Sequence, residues 1–333
     1  MSYSDNAITF NHISLVCHAD WSKNPDKRWM AVALKRSDNG WTVSQLSQVS
    51  VVSDFFLSLK SCLPEPGCIL AGFDFPIGLP RHYAEKVGVV DFIPTLRLLG
   101  HQQWAQFYEP AEIPEQINIY RPFYPLKPGG SKRVHLERGL DLRFNQLHRL
   151  CEVSHINRRA ACPLFWTLGG QQVGKAAIHG WRSLISPALD DSQLNLCIWP
   201  FSGRFNYLCK PGNIVVVETY PAEFYAQLGF FPPNRKMSKR RYTDRKYYAQ
   251  RLISLAVVLK LHLDSFLLAS ILDGFGDGPQ AEDQFDALIG LYGMMNVVQG
   301  NHPTGEPVPS GISNIEGWIF GQEQPKKEVL IAS

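Results

Sequence analysis

The sequence predicts an α/β protein built around a mixed sheet, and three observations support this class. Apolar runs typical of strands come first, apolar residues at helical spacing follow, and both patterns return near the end of the chain. With 333 residues, 45% of them hydrophobic, the chain can bury a large core. We therefore predict five strands, the first three antiparallel and the last two parallel, flanked by helices.

The first part of the chain contains the patterns of four strands and one helix. The strands are predicted at 12–20, 28–36, 41–47 and 68–76. The turn sequence SDNG joins the second strand to the third. Apolar residues at helical spacing predict a helix over 52–63. The fourth strand is apolar on both faces until Asp74, which is typical of a buried strand.

The middle of the chain differs, because it is rich in Pro, Gly and aromatic residues and shows no regular alternation. We predict a large, mainly helical and loop insertion after the fourth strand, with a helix over 140–153. Regular patterns return later, and they predict a strand at 212–221 and helices at 221–230, 239–262 and 281–300. The predicted organisation is a discontinuous core, 1–79 and 212–333, interrupted by a subdomain at 80–211.

The composition excludes only a few classes of function. The net charge of +3 does not indicate a partner, and the seven cysteines include no CxxC pair, so neither a zinc module nor a disulfide framework is predicted. The start, MSYSDNAITF, lacks the pattern of a signal peptide. The longest apolar window, 252–272, is interrupted by polar residues and is too polar for a membrane span. We expect a cytoplasmic protein without a membrane partner; the sequence does not define its oligomeric state.

Acidic residues lie where predicted strands end. Asp20 ends the first strand, and Asp74 and Glu218 lie near the ends of the fourth and fifth. Asp283 and Asp286 are three residues apart, so they share one face of the last helix. Because ligands of open α/β sheets collect at the carboxyl ends of strands, we expect Asp20, Asp74, Glu218 and Asp286 to lie within about 8 Å of one another. A structure with Asp74 and Glu218 on opposite sides of the sheet would contradict the nuclease hypothesis itself.

Such a cluster of carboxylates is electrostatically unfavourable unless a cation lies within it. Oxygen ligands without Cys or His suit Mg²⁺ or Mn²⁺. Two such ions about 4 Å apart form the usual site for phosphodiester hydrolysis. The candidate catalytic residues and metal ligands are Asp20, Asp74, Glu218 and Asp286, with Asp283 as a further metal ligand. The alternative for each is an ordinary structural acid that caps a turn or a helix.

Four short motifs resemble a known family. They are VCHADW, GFDFPIGLP, VETYPAEF with the basic segment after it, and EDQFDALIG. Their order is similar to that in domain-of-unknown-function family number 429, predicted nucleases with a ribonuclease H-like fold, and to that in Holliday-junction resolvases of the same superfamily. The resemblance covers about 10–80 and 212–300, and it implies this fold and a metal-dependent nuclease site at the acids named above. The loop after Asp20 contains no glycine, although relatives often have a Gly-rich turn there.

A basic segment follows the Glu218 strand. Residues 235–251 contain eight Lys or Arg and a single Asp. The candidate contacts to a phosphate backbone are Lys236, Lys239, Arg241 and Arg245. A solvated helix face is the alternative. The segment therefore favours DNA or RNA as a partner without choosing between them.

The stretch GGQQVGKA at 169–176 resembles a phosphate-binding P-loop. Ala176 stands where a Ser or Thr hydroxyl should hold Mg²⁺, and no clear strand precedes the loop. It is therefore a candidate wall of the cleft, with Gln171 and Lys175 as candidate substrate contacts, although the sequence favours the plainer alternative. The alternative is a tight turn that begins a helix.

Taken together, these patterns predict a metal-dependent nuclease that hydrolyses phosphodiester bonds of DNA or RNA. Two alternatives stay open. An actin-like kinase or ATPase shares this core fold, but it needs a glycine-rich phosphate hairpin that the residues after Asp20 do not supply. A non-catalytic nucleic-acid-binding protein of this fold is the other alternative.

Overall fold

The structure is a computed structural model that describes residues 10–124, 132–154, 159–167, 172–231, 237–307 and 312–324. The described residues form a mixed eight-stranded sheet. Its strands are β1 (Ile13–Asp20), β2 (Trp29–Lys35), β3 (Trp41–Val43), β4 (Ser47–Gln48), β5 (Cys68–Phe73), β6 (Asn195–Ile198), β7 (Asn213–Glu218) and β8 (Leu261–Leu263). The order is β6-β7-β5-β1-β2-β3-β8, and β4 pairs with β2. Strands β1, β2 and β3 are antiparallel, whereas β5, β7 and β6 continue parallel to β1.

The predicted α/β class with a mixed sheet is confirmed, but the predicted number of five strands is wrong. The additional strands β4, β6 and β8 have two to four residues each, too few to show a clear alternation. Strand β8 lies inside the segment predicted as one helix over 239–262. Lys260 adopts a left-handed conformation, with φ 50°, so the helix ends and the chain enters β8 parallel to β3.

Helices cover both faces of the sheet. They are α1 (Phe55–Ser61), α2 (Arg81–Val87), α3 (Phe92–Leu98), α4 (Arg133–Leu140), α5 (Val173–Gly180), α6 (Ser186–Asp190), α7 (Phe205–Leu208), α8 (Pro221–Gln227), α9 (Tyr242–Tyr247), α10 (Ala249–Val258), α11 (Ser265–Leu272) and α12 (Ala281–Val298). Helices α8, α10, α11 and α12 pack on the first face and α1 to α6 on the second. Across the described ranges, no helix is long and apolar enough to cross a membrane.

The middle segment contributes to the same core as the strands. Its side chains, among them Trp181 and Phe107, are buried in the cluster that covers the second face, and β6 pairs with β7. The helix predicted over 140–153 is wrong. Asp141 adopts a left-handed conformation, with φ 48°, which ends α4. Two short 3-10 turns follow, Phe144–Leu147 and Leu150–Glu152, each closed by a side chain on a backbone N–H.

Candidate active site

Asp20 and Asp74 meet at the carboxyl end of two neighbouring parallel strands. Ala19 of β1 pairs with Phe73 of β5, so the next residue of each chain lies at the same edge of the sheet. The two carboxyl groups interact, because each contributes to the pKa shift of the other. Asp74 Oδ1 also accepts a hydrogen bond of 2.7 Å from the backbone N–H of Trp21. The pair therefore forms the centre of an acidic cluster.

Helix α12 adds Asp286 to this cluster. The buried Asp286 carboxylate accepts hydrogen bonds from the Tyr225 hydroxyl and from Lys239 Nζ. Lys239 Nζ also lies 3.3 Å from Glu282 Oε1. The negative charges of Asp286 and Asp283 both act on Asp20. Asp20, Asp74, Asp283 and Asp286 thus lie close together, as the sequence predicts, with one lysine among them.

The close approach of α12 to the sheet depends on His18. Its ring is buried, with Nδ1 3.2 Å from the Ala287 carbonyl and Nε2 2.9 Å from Thr219 Oγ1. Burial lowers the pKa of His18 to about 3, so the ring is neutral near pH 7. A Cβ on Gly290 would lie only 2.1 Å from this ring. Glycine therefore lets the helix rest directly on His18, which fixes Asp286 beside Asp20.

The carboxyl groups of the cluster hold protons more strongly than usual. Burial raises the pKa of Asp74 to about 7, although the hydrogen bonds from Trp21 and Asp20 oppose this rise. Burial and the charge of Asp74 raise the pKa of Asp20 well above its ordinary value. Burial also raises the pKa of Asp283 to about 6, and it raises that of Asp286. The cluster has more negative charge than Lys239 balances.

The cluster has the donor chemistry of a hard cation. Asp283 Oδ2 is buried and has no hydrogen-bond partner among the described residues, and the Asp20 and Asp74 carboxyls interact with each other. Within the described ranges, no three acidic, His or Cys side chains are arranged to hold a metal ion together. Mg²⁺ commonly takes only one or two carboxylates and keeps water or substrate phosphate on its other positions. The residues present therefore fit Mg²⁺ or Mn²⁺ held mainly by Asp20 and Asp74.

Glu218 does not join this cluster, and the prediction that four carboxylates converge is wrong on this point. Side chains alternate along a strand, and Val216 packs in the core of the second face. Glu218, two residues further along β7, therefore points to the second face. Asp20 lies four residues after Val16 on β1, and Val16 packs on the first face, so Asp20 points to the first face. The sequence shows that Glu218 ends a strand. It does not show which face of the sheet the Glu218 side chain points to, because the strand is apolar on both faces.

Glu218 instead pairs with Arg149, which the sequence reasoning missed. The Arg149 guanidinium donates to Glu218 Oε1 at 2.6 Å and to Oε2 at 2.7 Å. The Ile77 backbone N–H donates to Glu218 Oε2, also at 2.7 Å. Arg149 pairs with Glu152 as well, through the spacing RLCE in the sequence. This buried bidentate pair occupies both oxygens that a metal ion would need.

A cleft with a volume of about 880 Å³ lies over the acidic cluster. Asp74 and Asp286 reach its surface, and Tyr225 and Trp21 line it. Four lysines also line the cleft, and they are Lys23, Lys27, Lys175 and Lys239. Acids at the base and lysines around them suit an anionic ligand that carries a divalent cation.

Only some of the residues predicted to contact the substrate line the cleft. Lys175 and Lys239 line the cleft, whereas Arg241 forms an exposed ion pair with Asp244, 2.6 Å apart. The expectation for Arg245 is wrong, because its buried guanidinium donates to the carbonyls of residues 239, 274 and 276 and so joins two segments of backbone. Two further predicted contacts, Lys236 and Gln171, lie outside the described residues. Reasoning from the sequence missed Lys23 and Lys27, although both stand in the loop directly after Asp20.

Comparison with known proteins finds no match for this chain, whether among protein-family models, curated proteins or solved structures. The resemblance noted in the sequence therefore depends on the four motifs alone. Three of them contain residues of the acidic cluster, and the motif VETYPAEF contains Glu218 and Thr219, the partner of His18.

Proposed function

We propose that this chain is a metal-dependent hydrolase that cuts phosphodiester bonds of DNA or RNA. The observation that carries the proposal is the interaction between the Asp20 and Asp74 carboxyls next to a cleft that Asp74, Asp286 and four lysines line. Asp20 and Asp74 hold Mg²⁺ or Mn²⁺ in this proposal, and Asp283 and Asp286 supply further negative charge. Glu218 faces the other side of the sheet, which contradicts the four-carboxylate nuclease site predicted from the sequence, so the present proposal depends on the remaining acids alone.

The sheet supports a ribonuclease H-like fold as part of the same proposal. Its five central strands have the order β3-β2-β1-β5-β7, with the first three antiparallel and the last two parallel to β1. This is the arrangement that the sequence resemblance implies. The acids then lie at the carboxyl ends of β1 and β5, where ligands of open α/β sheets bind.

Each residue of the cleft has a role in this proposal. A bound ion would lower the pKa of a water molecule and stabilise the leaving oxygen. The Asp20 and Asp74 carboxyls release their shared proton when a cation replaces it. Tyr225 and Lys239 hold the Asp286 carboxylate in place. Lys23 and Lys175, which both line the cleft, neutralise phosphates of the substrate.

The proposal is tested by a cleavage panel with single-stranded, duplex and branched DNA and RNA in Mn²⁺ or Mg²⁺. The matched variants are Asp74→Asn, in the cluster, and Glu218→Gln, outside it. We expect Mn²⁺-dependent cleavage that Asp74→Asn lowers by at least about two orders of magnitude. Titration of the metal-free protein with Mn²⁺ should show binding that Asp74→Asn weakens and Glu218→Gln leaves in place.

Three outcomes would contradict the proposal. Cleavage by Asp74→Asn at the wild-type rate would show that the activity comes from elsewhere in the molecule or from a contaminant. Hydrolysis of ATP without nucleic acid would favour an ATPase. Binding of nucleic acid that is unaffected by Asp74→Asn, with no cleavage in either metal, would favour a non-catalytic binding protein.

A further inference from the structure

Arg28 is a buried cation, and the described residues supply no acceptor for two of its three guanidinium nitrogens. Arg28 is the last residue of the loop between β1 and β2, and it is only 3% exposed. Among the described residues, its Nε and Nη1 atoms have no hydrogen-bond partner. The guanidinium lies over the Trp21 ring, 5.5 Å from the ring centre. Stacking covers the face of the guanidinium, but it leaves the donors in its plane unused.

The groups around Arg28 are donors or cations. His179 Nδ1 accepts a hydrogen bond of 3.2 Å from Trp21 Nε1, so the proton of the neutral ring is on Nε2. Nε2 has no hydrogen-bond partner within the described part of the chain. Burial lowers the pKa of His179, and the charges of Arg28 and Lys23 lower it further. Burial lowers the pKa of Arg28, and no described carboxylate opposes this. Three groups that can bind an anion are therefore close together.

A purely structural role does not explain this arrangement. A buried guanidinium that lacks acceptors destabilises the folded state, and an apolar side chain of similar length would stack on Trp21 without that cost. This contrasts with Arg149, whose donors all reach carboxylates or carbonyls. An anionic ligand would supply what Arg28 lacks.

We propose that Arg28, His179 and Lys23 form a second anion-binding site, which takes a phosphate group. The site adjoins the cleft, because Lys23 lines it and Lys175, one turn before His179 on α5, lines it as well. Trp21 connects the site to the acidic cluster, since its backbone N–H holds Asp74. Because Arg28 is buried, a phosphate can reach it only if the mostly exposed loop that leads into it, 22–27, shifts.

The phosphate is that of a nucleotide next to the bond that is cut, or a free phosphate or mononucleotide. Only this assignment to a substrate depends on the proposed function. The anion site itself needs no metal ion, so it can be tested on metal-free protein in which the acidic cluster is inactive.

The experiment compares wild type, Arg28→Met and Arg36→Met in a chelator. Arg36→Met is the matched control, because Arg36 forms an exposed ion pair with Asp38 on the β2–β3 turn. The thermal midpoint of each protein is measured in inorganic phosphate and in chloride of equal ionic strength, which removes general screening. Binding of a short single-stranded oligonucleotide is measured in parallel by fluorescence anisotropy.

We expect phosphate to stabilise wild type and Arg36→Met but not Arg28→Met, whose midpoint in chloride equals or exceeds that of wild type. The affinity for phosphate should fall at least about tenfold in Arg28→Met. The same fall for the oligonucleotide assigns the site to a nucleic acid strand, whereas an unchanged oligonucleotide affinity assigns it to free phosphate or a mononucleotide.

A lower midpoint of Arg28→Met in chloride, with the effect of phosphate retained, would overturn the inference and show a structural arginine. Wild type that does not respond to either probe would also overturn it. Both results would leave the cleavage test of Asp74→Asn unaffected. Conversely, a phosphate effect that depends on Arg28 in a protein without nuclease activity would keep the anion site and remove the proposed function.

Discussion

Two clusters of buried carboxylates lie near the same end of the sheet, one on each face, and they differ in how their oxygens are satisfied. On the second face, every carboxylate oxygen of Glu218, Glu152 and Glu316 accepts a hydrogen bond from Arg149 or from a backbone N–H. On the first face, Asp283 Oδ2 has no partner in the part of the chain that the structure describes, and the Asp20 carboxyl interacts with another carboxyl.

The comparison shows that acidic residues alone do not identify a site. Burial raises the pKa of Glu218 as well as that of Asp74, so a raised pKa does not distinguish the two clusters. What distinguishes them is the supply of donors. A cluster whose oxygens all have donors stabilises the fold, whereas a cluster that lacks donors costs stability until a cation or a proton enters it.

The largest expected effect is on the cluster around Glu218. Arg149→Met should lower the free energy of unfolding by about 3 to 5 kcal/mol, because it leaves buried carboxylates without their counter-charge. Urea unfolding at pH 7 measures this loss. Arg36→Met, which breaks an exposed pair, should cost less than about 1 kcal/mol. Equal losses for the two variants would show that the Arg149 cluster is not structural.

A second expected effect concerns the pH dependence of the first cluster. The pKa of Asp74 is about 7 in the folded protein, against 3.8 for an ordinary Asp. As pH rises through this interval, the unfolded chain releases the proton before the folded protein does, so the folded state loses stability. Above the folded pKa, the loss is complete.

Asp74→Asn removes this titration. The free energy of unfolding of the variant, relative to wild type, should therefore rise by up to about 3 kcal/mol between about pH 4 and pH 7. Urea unfolding across that interval measures the difference. Because Asp20 and Asp74 titrate as a pair, Asp20→Asn should show a change of the same sign. A difference that is constant with pH would contradict the shared proton.

Removing one carboxylate charge should change the free energy of unfolding by a smaller amount, and in opposite directions in the two clusters. At pH 7 and without metal, Asp20→Asn should stabilise the protein by on the order of 1 kcal/mol, since it removes like-charge repulsion. Glu218→Gln should destabilise it by about 1 to 3 kcal/mol, because Arg149 then lacks its carboxylate partner. Unfolding curves of the two variants at equal ionic strength provide the measurement. Destabilisation by both variants would indicate that Asp20 is structural as well.

Much of the first cluster could be predicted from the sequence, because its acids follow long, strongly apolar strands. Asp20 and Asp74 end such strands, and strands β1 and β5 are recognisable without the structure. Asp286 and Asp283 follow from helical spacing. The second cluster could not be predicted, since Arg149 lies between two short 3-10 turns of the middle segment, where neither the helical nor the strand period of apolar residues applies. Arg149 is also far from Glu218 in the sequence, so no local sequence pattern indicates that the two residues pair.

The smallest expected effect separates a cleft residue from an exposed one. Lys175 lines the cleft, whereas Arg241 pairs with Asp244 in an exposed position. In the proposed nuclease, Lys175→Met should raise the KM for an oligonucleotide about threefold to tenfold at low salt, with kcat nearly unchanged, because it removes one phosphate contact. Arg241→Met should change KM by less than about twofold. The slope of log KM against log salt concentration should become shallower by the amount expected for one phosphate contact, and it should do so in Lys175→Met only. If Arg241→Met has the larger effect, the substrate lies along the basic segment outside the cleft, and the lysines over the acidic cluster do not define its path.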